Sequence, residues 1–580
     1  MGRRRHERRH ARKGPRYTVG LEAQARREAR ERDAQLKGSR HAVATRMCTL
    51  AVRVVERSGV ADRAEQTLAT TVGAPRRLTY RAMLNLLVLC ALTQGGSMVL
   101  QGAYDRVYRA LTAHQRKFMG LPERMTYGQF WKTFDKVARS VGWDVDEETG
   151  EVTTRALGRT VDEVASDLAR AGIPSSCPPT ATAAEDGTAH ESSFHRKSRS
   201  ADGLPDVPAC QLPVETDERA PDVSTPGFPR IGPDGRLRHT HDPDVTEGFR
   251  GKKQGQTAIY LGRELHLIAD VPDLGSEPVP AFIRGVSIRG AGDDRLEGGL
   301  TALDNLGYTP EVLLADRGYS YLTAWGEHLV RRGIRQTVDL HPNQRKVSPG
   351  PLPGTLWVDG TLASEALPTR LRNLPAYQRG MTRSDRHELA STYDQRLPYL
   401  YTPMGSPDGR TGRLRFRGPA VTGRVRCPNT PSSMRLRPTR RRPTTACRPG
   451  VECGCGRTIT LTPEEYGRTF QTAPYGTTRW LASYHRRSAI ESANGEIRRN
   501  RLSVGKYSIL VRGNRRYSLL MGCLLAAVNL LMAEDWFCTP WDQLDEAQTP
   551  PPRFVRRERE DTTTHRLLRH MMRPDDDEDS

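Results

Sequence analysis

The chain has 580 residues and a formal net charge of +21 at pH 7. This length leaves room for several domains, and the positive charge favours a polyanionic partner, nucleic acid before an anionic membrane surface. The N-terminal sequence MGRRRHERRHARKGPRY lacks the apolar stretch of a secretory leader, so we expect no signal peptide there.

Two apolar segments bear on membrane association. The segment MLNLLVLCAL at 83–92 is too short to cross a bilayer. The segment SLLMGCLLAAVNLLMA at 518–533 is slightly short as well, and it contains Asn529. We therefore predict a buried helix at 518–533 and no membrane partner.

The N-terminal third is basic and then helical. Residues 1–46 are rich in arginine and predict a solvated helix or a disordered arm. Within 47–142, four segments carry apolar residues at helical spacing. Short helices of this kind form either a helix-turn-helix unit or a plain bundle, and both remain open. A further helix follows near 161–173, and the Pro-, Asp- and Gly-rich residues 199–238 predict a linker.

From residue 256 the pattern predicts an α/β layer with a mixed sheet. Strands and helices alternate there, and the carboxyl ends of such strands are where sites form. The predicted strands are 256–270, 279–290, 311–316 and 334–340, with helices at 294–307 and 321–333. Residues 341–475 interrupt this layer with turns, short strands and a cysteine cluster.

Two aspartates are candidate site residues, and their local sequences differ. Asp316 closes the apolar run EVLLAD and precedes Arg-Gly-Tyr, which suits either a metal ligand or a cap of the next helix. Asp186 follows the run CPPTATAA, a poor strand, so its local sequence favours a loop.

The segment LASYHRRSAIESANGEIRRN at 481–500 predicts a helix with a polar stripe. Tyr484, Arg487, Glu491 and Arg498 are spaced by three, four and seven residues and fall on one side of an α-helix. The stripe predicts a functional site, and the competing interpretation is a solvated face with chance ion pairs.

ADRGYS and YHRRSAIESANGEIRR resemble signatures of DDE transposases from bacterial insertion sequences. The second segment is similar to the Y-x2-R-x3-E-x6-K pattern of the IS4-like group, with Arg498 where lysine is usual. EDGT resembles the first-aspartate motif, in which the aspartate ends the first strand of an RNase H-like fold. The stretch from GFPRIGPDG to YLGRELHLIADVPD is similar to large actinobacterial-type members, and the resemblance covers about residues 75–535.

The resemblance implies a catalytic site of Asp186, Asp316 and Glu491 that binds Mg²⁺ or Mn²⁺. Carboxylates suit such hard cations, and two divalent ions about 3.5–4 Å apart activate the attacking oxygen and stabilise the leaving one. Asp270, which ends a better strand, competes with Asp186 as the first acid. Asp242 and Asp244 are third choices.

The same resemblance assigns the polar stripe to DNA. Arg487 and Arg498 would bind phosphates, and Tyr484 would stack on a base or bind a phosphate. Asn494 lies close to Glu491 in the sequence and is a candidate to orient it. Arginine at 498 keeps the charge of lysine but changes the donor geometry.

The cysteine cluster predicts a second metal site. Cys427, Cys447, Cys453 and Cys455 have the spacing C-x19-C-x5-C-x-C, which suits a structural zinc ion, with four reduced thiols as the alternative. Arginines nearby, Arg437 and Arg441 among them, predict contacts with DNA phosphates.

Together these features predict an α/β protein with an RNase H-like mixed sheet, flanking helices, a β-rich Cys/Arg insertion and a helical N-terminal domain. The expected parts are a basic arm (1–46), a helical DNA-binding domain (47–175), the first part of the catalytic core (176–340), the insertion (341–475), C-terminal core helices (476–540) and a disordered tail (541–580).

The leading functional hypothesis is a transposase that cuts double-stranded DNA at terminal inverted repeats and joins it to a target. We expect a homodimer on DNA, in the bacterial cytoplasm at the nucleoid. A decayed or domesticated transposase that only binds DNA is one alternative. A nuclease of RNase H-like fold that does not transfer strands is another.

Overall fold

The computed structural model describes residues 43–68, 76–145, 152–194, 242, 244–253, 256–322, 324–378 and 380–552. The predicted linker at 199–238, most of the basic arm and residues 553–580 lie outside these ranges.

The N-terminal part is helical, as its periodicity predicts. Capping boxes begin several of its helices: Thr112, Thr126 and Thr160 each accept a hydrogen bond from the backbone N–H three residues ahead. Residues 100–110 form an irregular helical stretch. The regular helices are α1 (Thr45–Ser58), α2 (Val60–Leu68), α3 (Tyr80–Thr93), α4 (Ala113–Phe118), α5 (Tyr127–Arg139) and, after the two-stranded ribbon β1 (Trp143–Val145) and β2 (Val152–Thr154), α6 (Val161–Ala171).

A six-stranded mixed sheet forms the centre of the protein. Its path runs β4-β5-β3-β7-β8, and β6 also pairs with β5. The pairs β3/β5, β4/β5 and β5/β6 are antiparallel, whereas β3/β7 and β7/β8 are parallel. The strands are β3 (Thr182–Glu191), β4 (Thr246–Lys253), β5 (Gln256–Val271), β6 (Ile283–Gly290), β7 (Val312–Ala315) and β8 (Arg335–Val338), with helices α7 (Arg295–Asp304), α8 (Arg317–Ser320) and α9 (Trp325–Arg331).

The local interpretation of Asp186 as a loop residue was wrong. Asp186 is the fifth residue of the ten-residue strand β3, so it does not end the strand either. Ala183 and Ala184 are fully buried between β5 and β7. Pairing on both edges outweighs the weak strand propensity of the alanines, because strand preference depends mainly on context.

Residues 341–475 carry two small antiparallel sheets, which confirms the predicted short strands. One sheet has the order β11-β10-β9 and the other β12-β13-β14. The strands are β9 (Val347–Pro349), β10 (Thr355–Val358), β11 (Thr361–Ser364), β12 (Thr402–Met404), β13 (Leu414–Arg417) and β14 (Thr458–Leu461), with helices α10 (Arg383–Asp394), α11 (Pro431–Met434) and α12 (Pro463–Tyr466).

The sequence predicted one helix at 481–500. The structure instead has two helices and a π-helical turn there. Helix α13 (Thr478–His485) ends before Arg486, α14 (Ser488–Gly495) follows, and residues 496–500 form the π turn. At the break, Ala489 and Ile490 donate their N–H groups to carbonyls three residues back. This tighter 3₁₀ geometry changes the phase of the side chains relative to a continuous helix.

Helix α15 (Asn514–Phe537) is the predicted buried apolar helix. By length and composition it would cross a membrane, but 89 % of its apolar window is buried inside the protein. Asn529 explains this placement. Its side chain accepts a hydrogen bond from Ile283 N at 2.9 Å and donates to the carbonyls of Ala169 and Ile283, both at 2.8 Å.

Residues 541–546 fall within the expected disordered tail, but they form a helix. Helix α16 (Trp541–Glu546) packs against the core, because Trp541 is fully buried and its indole N–H donates to the Gly172 carbonyl at 2.8 Å.

One apolar core joins the N-terminal helices to the sheet. It includes buried residues of α1, α3, α6 and α15 together with Ala184, Leu267 and Leu314 from the sheet. Ala183, Ile268 and Leu313 face the opposite side, where they pack with Trp325 and Trp480. Side chains alternate along each strand, so the two faces of the sheet have separate surroundings.

Candidate active site

Asp186 and Asp316 lie at the same level of the sheet. Strands β3 and β7 are parallel, with Ala184 opposite Leu314. Asp186 and Asp316 each lie two residues beyond this last pair, and the charge of Asp316 acts on the Asp186 carboxyl. By strand alternation both side chains share the face of Ala184 and Leu314.

Asp316 also caps the short helix α8. Its Oδ1 accepts a hydrogen bond from Gly318 N at 2.7 Å. The two interpretations of Asp316, cap and metal ligand, are therefore compatible, because an ionised carboxylate has two oxygens and about four acceptor sites.

Helix α14 brings Glu491 to the same face of the sheet. Its apolar side, Ile490 and Ala493, is buried in the core that also contains Ala184 and Leu267. Glu491 itself is 58 % exposed. The helix is tied to β3 by Asn494, whose Nδ2 donates to Oδ2 of Asp186 at 2.9 Å. We expected Asn494 to orient Glu491, and instead it holds Asp186.

Arg487 lies between two of the predicted acids. Its guanidinium pairs with the Glu491 carboxylate, and its Nη1 is 3.8 Å from Oδ1 of Asp186. The guanidinium also lies over the Tyr484 ring, 5.9 Å from the ring centroid. Tyr484 in turn stacks on Trp480 with 4.9 Å between centroids.

Arg498 contacts strand β3 three residues beyond Asp186. Its guanidinium donates to the carbonyl of Ala189, near the end of β3. This bond lies outside the cluster of Tyr484, Arg487 and Glu491, because the π turn at 496–500 separates Arg498 from Arg487.

The pKa of the Asp186 carboxyl is raised to about 6. Burial is the main cause, and the negative charges of Asp316 and Glu491 add to it, while Arg487 opposes the shift. Like charges held close together disfavour ionisation, and perturbed carboxyls of this kind concentrate at functional sites.

Carboxylate oxygens are suitable ligands for Mg²⁺ or Mn²⁺. The three carboxylates are, however, widely spaced. Among the residues that the structure describes, the three carboxylates do not form a group whose ligand oxygens all lie within 4.8 Å of one another. The Arg487 guanidinium provides positive charge there instead.

The competing aspartates have structural partners. Asp270 is 2 % exposed and forms a buried ion pair with Arg284 at 2.7 Å. Asp242 pairs with buried Arg263 at 2.6 Å. The Asp244 carboxylate accepts a hydrogen bond from Asn514 N at 2.6 Å, at the start of α15. These three acids fix strands and a helix end.

A cluster of buried polar residues lies on the face of the sheet opposite Asp186. It includes Glu185, which the sequence analysis did not identify. Glu185 is fully buried, and its burial raises its pKa well above the ordinary value. The Tyr319 hydroxyl is 2.8 Å from Nδ1 of buried His266, and Arg295 pairs with Glu264 at 2.6 Å. The alternation of Glu185 and Asp186 along a strand would have indicated that these neighbours face opposite sides.

The four predicted cysteines converge on one point. All four sulfurs lie within 4.8 Å of one another, so the cluster is able to hold a metal ion. Two of the Sγ–Sγ distances are 3.6 Å (Cys427–Cys453) and 3.9 Å (Cys447–Cys455). Zinc–sulfur bonds of about 2.3 Å in a tetrahedron place sulfurs about 3.8 Å apart, and the two distances bracket that value.

Side chains around the cluster orient the thiols. Ser364 Oγ, at the end of β11, is 2.9 Å from Cys455 Sγ, and Asn429 Nδ2 donates to Cys453 Sγ at 3.5 Å. The cluster thus joins the first small sheet to the loop that contains Arg437 and Arg441.

No known family model matches this chain. A search of curated proteins finds no match either. Functional conclusions therefore depend on the residues themselves.

Proposed function

We propose that this chain is a DDE transposase that cleaves phosphodiester bonds at the ends of a mobile DNA element and transfers the freed 3′-hydroxyl to target DNA. The observation that carries the proposal is the convergence of Asp186, Asp316 and Glu491 on one face of the sheet, with Arg487 between two of them. Three carboxylates and an arginine on one face of a sheet suit phosphoryl transfer.

The strand order supports an RNase H-like core. In β6-β5-β3-β7-β8, three antiparallel strands come first in the chain and two parallel strands follow. The first acid lies on the central strand, the second directly after the next parallel strand, and the third on a helix after an insertion.

The residues have distinct roles in this proposal. Asp186, Asp316 and Glu491 would hold Mg²⁺ or Mn²⁺, which supplies positive charge to the attacking and leaving oxygens. Asn494 fixes the orientation of Asp186. Arg487 provides a guanidinium beside the acids that is suited to a phosphate.

The remaining parts of the proposal concern DNA and zinc. The net charge of +21 supports binding to double-stranded DNA, both terminal repeats and target. The protein would act as a homodimer at the bacterial nucleoid.

We assign structural zinc to the four cysteines, on the strength of the sulfur spacing.

A second candidate, a protein that binds DNA without cutting it, has one specific observation in its favour. Arg487 already pairs with Glu491 and lies 3.8 Å from Asp186, and the described carboxylates are more widely spaced than metal ligands. Errors of about 1 Å in such a constellation cost about 10²-fold in rate.

A cleavage and joining assay decides between them. Purified protein is mixed with DNA that carries the flanks of its own gene, with Mg²⁺ or Mn²⁺, beside an Asp316→Asn control. Nicks at the element boundary that vanish in the control support the enzyme, and joined products identify a transposase. Cuts without joined products indicate a nuclease. Binding without cuts in either metal contradicts the proposal.

A further inference from the structure

A groove on the insertion is lined by arginines. It has a volume of about 1260 Å³ and lies between the end of α10, the start of α13, residues 397–403 and the loop at 440–443. Its arginines come from well-separated parts of the sequence, and all are exposed: Arg370, Arg424, Arg440, Arg441 and Arg479.

These arginines have no acidic partners among the residues that the structure describes. Within the described part of the chain, no ion pair joins any of the five to a carboxylate. The carboxylate of Asp394, which also lines the groove, is hydrogen-bonded to another residue instead. It accepts hydrogen bonds from Thr478 N at 3.1 Å and Thr478 Oγ1 at 2.7 Å, and so fixes the start of α13.

The feature that distinguishes the groove is the grouping of five such arginines around one concavity. Some exposed arginines elsewhere pair with acids, for example Arg331 with Glu327 at 2.9 Å and Arg335 with Glu311 at 3.3 Å, whereas others, such as Arg410 and Arg448, form no ion pair among the described residues. A general excess of arginine would spread unpaired guanidiniums over the whole surface and would not group them around one groove. Five unneutralised guanidiniums around one concavity repel one another, and a polyanion relieves that repulsion.

The loop that carries Arg440 and Arg441 is held in place. Arg426 N donates to the Pro443 carbonyl at 2.9 Å, and Thr445 N donates to the Arg426 carbonyl at 2.8 Å. The loop lies between Cys427 and Cys447, whose sulfurs belong to the same cluster. The arginines are thus presented on a closed loop, which limits the ordering that binding requires.

We propose that this groove binds the sugar-phosphate backbone of DNA next to the candidate active site. Arg479 is on α13, the helix that also carries Tyr484 and leads into α14 with Glu491. Helix α13 thus carries one arginine of the groove and one residue of the candidate site. The inference rests on the proposed function, in that the anion is the DNA on which the carboxylates act.

Salt-dependent binding tests the groove without requiring cleavage. The full chain and its Arg424→Gln, Arg440→Gln, Arg441→Gln and Arg479→Gln variants are titrated, without divalent metal, against a short fluorescent DNA duplex at several salt concentrations. Loss of one phosphate contact lowers the slope of log K against log salt concentration by about 0.9. We expect that reduction in each variant, with affinity weaker by about tenfold.

Arg410→Gln is the matched control. Arg410 is exposed in the turn between β12 and β13, outside the groove, and its variant should keep the wild-type slope. Thermal unfolding confirms that each variant is folded. Wild-type slopes in all four groove variants would overturn the inference, as would equal competition by polyglutamate or duplex RNA.

Cleavage by the wild-type protein, measured separately with Mg²⁺, keeps the two proposals apart. If the protein cleaves while the groove variants keep the wild-type slope, the groove assignment fails and the proposed function stands. If the slope falls in the variants while the wild-type protein never cleaves, the groove stands as a DNA site and the proposed catalysis fails.

Discussion

Asn494 donates a hydrogen bond from Nδ2 to Oδ2 of Asp186 across 2.9 Å, and this bond links the helix of the third predicted acid to the strand of the first. Because strand and helix are far apart in the sequence, the bond sets their relative position at the site. Asp186 is 20 % exposed, so water offers it little alternative support.

Asn494→Ala should therefore impair catalysis more than folding. We expect a loss of about 10²-fold in the rate of Mg²⁺-dependent DNA cleavage, because Asp186 loses its fixed orientation, and a stability change of about 1 kcal/mol. Cleavage kinetics and thermal unfolding measure the two effects. Wild-type cleavage by Asn494→Ala would show that the bond does not position Asp186 for reaction.

Arg487→Gln should separate metal binding from catalysis. The substitution removes a cation that competes with a metal ion for Asp186 and Glu491, so Mn²⁺ should bind the DNA-free protein about tenfold more tightly. DNA cleavage should nevertheless fall, because a phosphate-binding guanidinium is lost. Calorimetric titration with Mn²⁺ and a cleavage assay test the two parts.

Arg317→Gln is the matched control for that experiment, since Arg317 pairs with Asp339 by an Nε–Oδ2 bond of 3.0 Å. Unchanged Mn²⁺ affinity in Arg487→Gln, or equal tightening in Arg317→Gln, would contradict the competition.

Asp270 and Asp186 should respond differently to replacement by asparagine. Asp270→Asn leaves the buried Arg284 cation without its counter-charge and should cost about 3–5 kcal/mol of unfolding free energy. Asp186→Asn relieves repulsion among the acids and should keep the wild-type stability while abolishing cleavage. Urea unfolding distinguishes them, and a destabilised Asp186→Asn protein with stable Asp270→Asn would reverse the assignment.

Serine substitution at Cys447 should release the metal and loosen the insertion. We expect about one zinc ion per wild-type chain, and less in Cys447→Ser, with weaker DNA binding because the loop of Arg440 and Arg441 is no longer closed. Cys538→Ser, at an exposed cysteine outside the cluster, is the control. Elemental analysis and fluorescence anisotropy provide the readouts, and metal-free wild-type protein would exclude the zinc site.

His266 should contribute to unfolding in acid. Burial lowers its pKa to about 3, with a further contribution from Arg295 and Arg289. As the pH falls below about 6.5, the His266 imidazole binds a proton in the unfolded chain but stays neutral in the folded chain. The stabilisation is therefore fully present above about pH 6.5 and is lost as the pH falls towards 3.

His266→Gln should accordingly flatten the pH dependence of stability. Between about pH 6 and 4, the slope of unfolding free energy should decrease by up to about 1.4 kcal/mol per pH unit, the value for one proton. Urea titrations at several pH values measure the slope, with the exposed His387→Gln as control. An unchanged slope would mean that His266 titrates alike in both states.

Sequence patterns predicted the elements with strong periodicity and failed where tertiary contacts decide. The apolar run at 311–316 and the buried helix around Asn529 follow directly from their hydrophobic patterns. Asp186 was harder to place, because the alanines before it gain their strand conformation from β5 and β7 on either side. No local signal reports such pairing.

The candidate site shows the same division. The spacing in the sequence alone predicted that Tyr484, Arg487 and Glu491 lie together, and Arg487 does contact the other two. Spacing could not reveal the break at Arg486, where the buried guanidinium donates to the Pro272 carbonyl at 2.9 Å. Nor could it reveal that Asn494 binds Asp186, a partner more than three hundred positions earlier.

The central position of α15 has a consequence for synthesis. The faces of α6 and β6 that pack on it belong to residues made much earlier, whereas α15 is completed only at Phe537. Until that residue leaves the ribosome, the growing chain carries an uncovered apolar surface that invites aggregation or chaperone binding. Any copy of the gene with a stop codon before 514 would then yield an insoluble product, even with Glu491 intact.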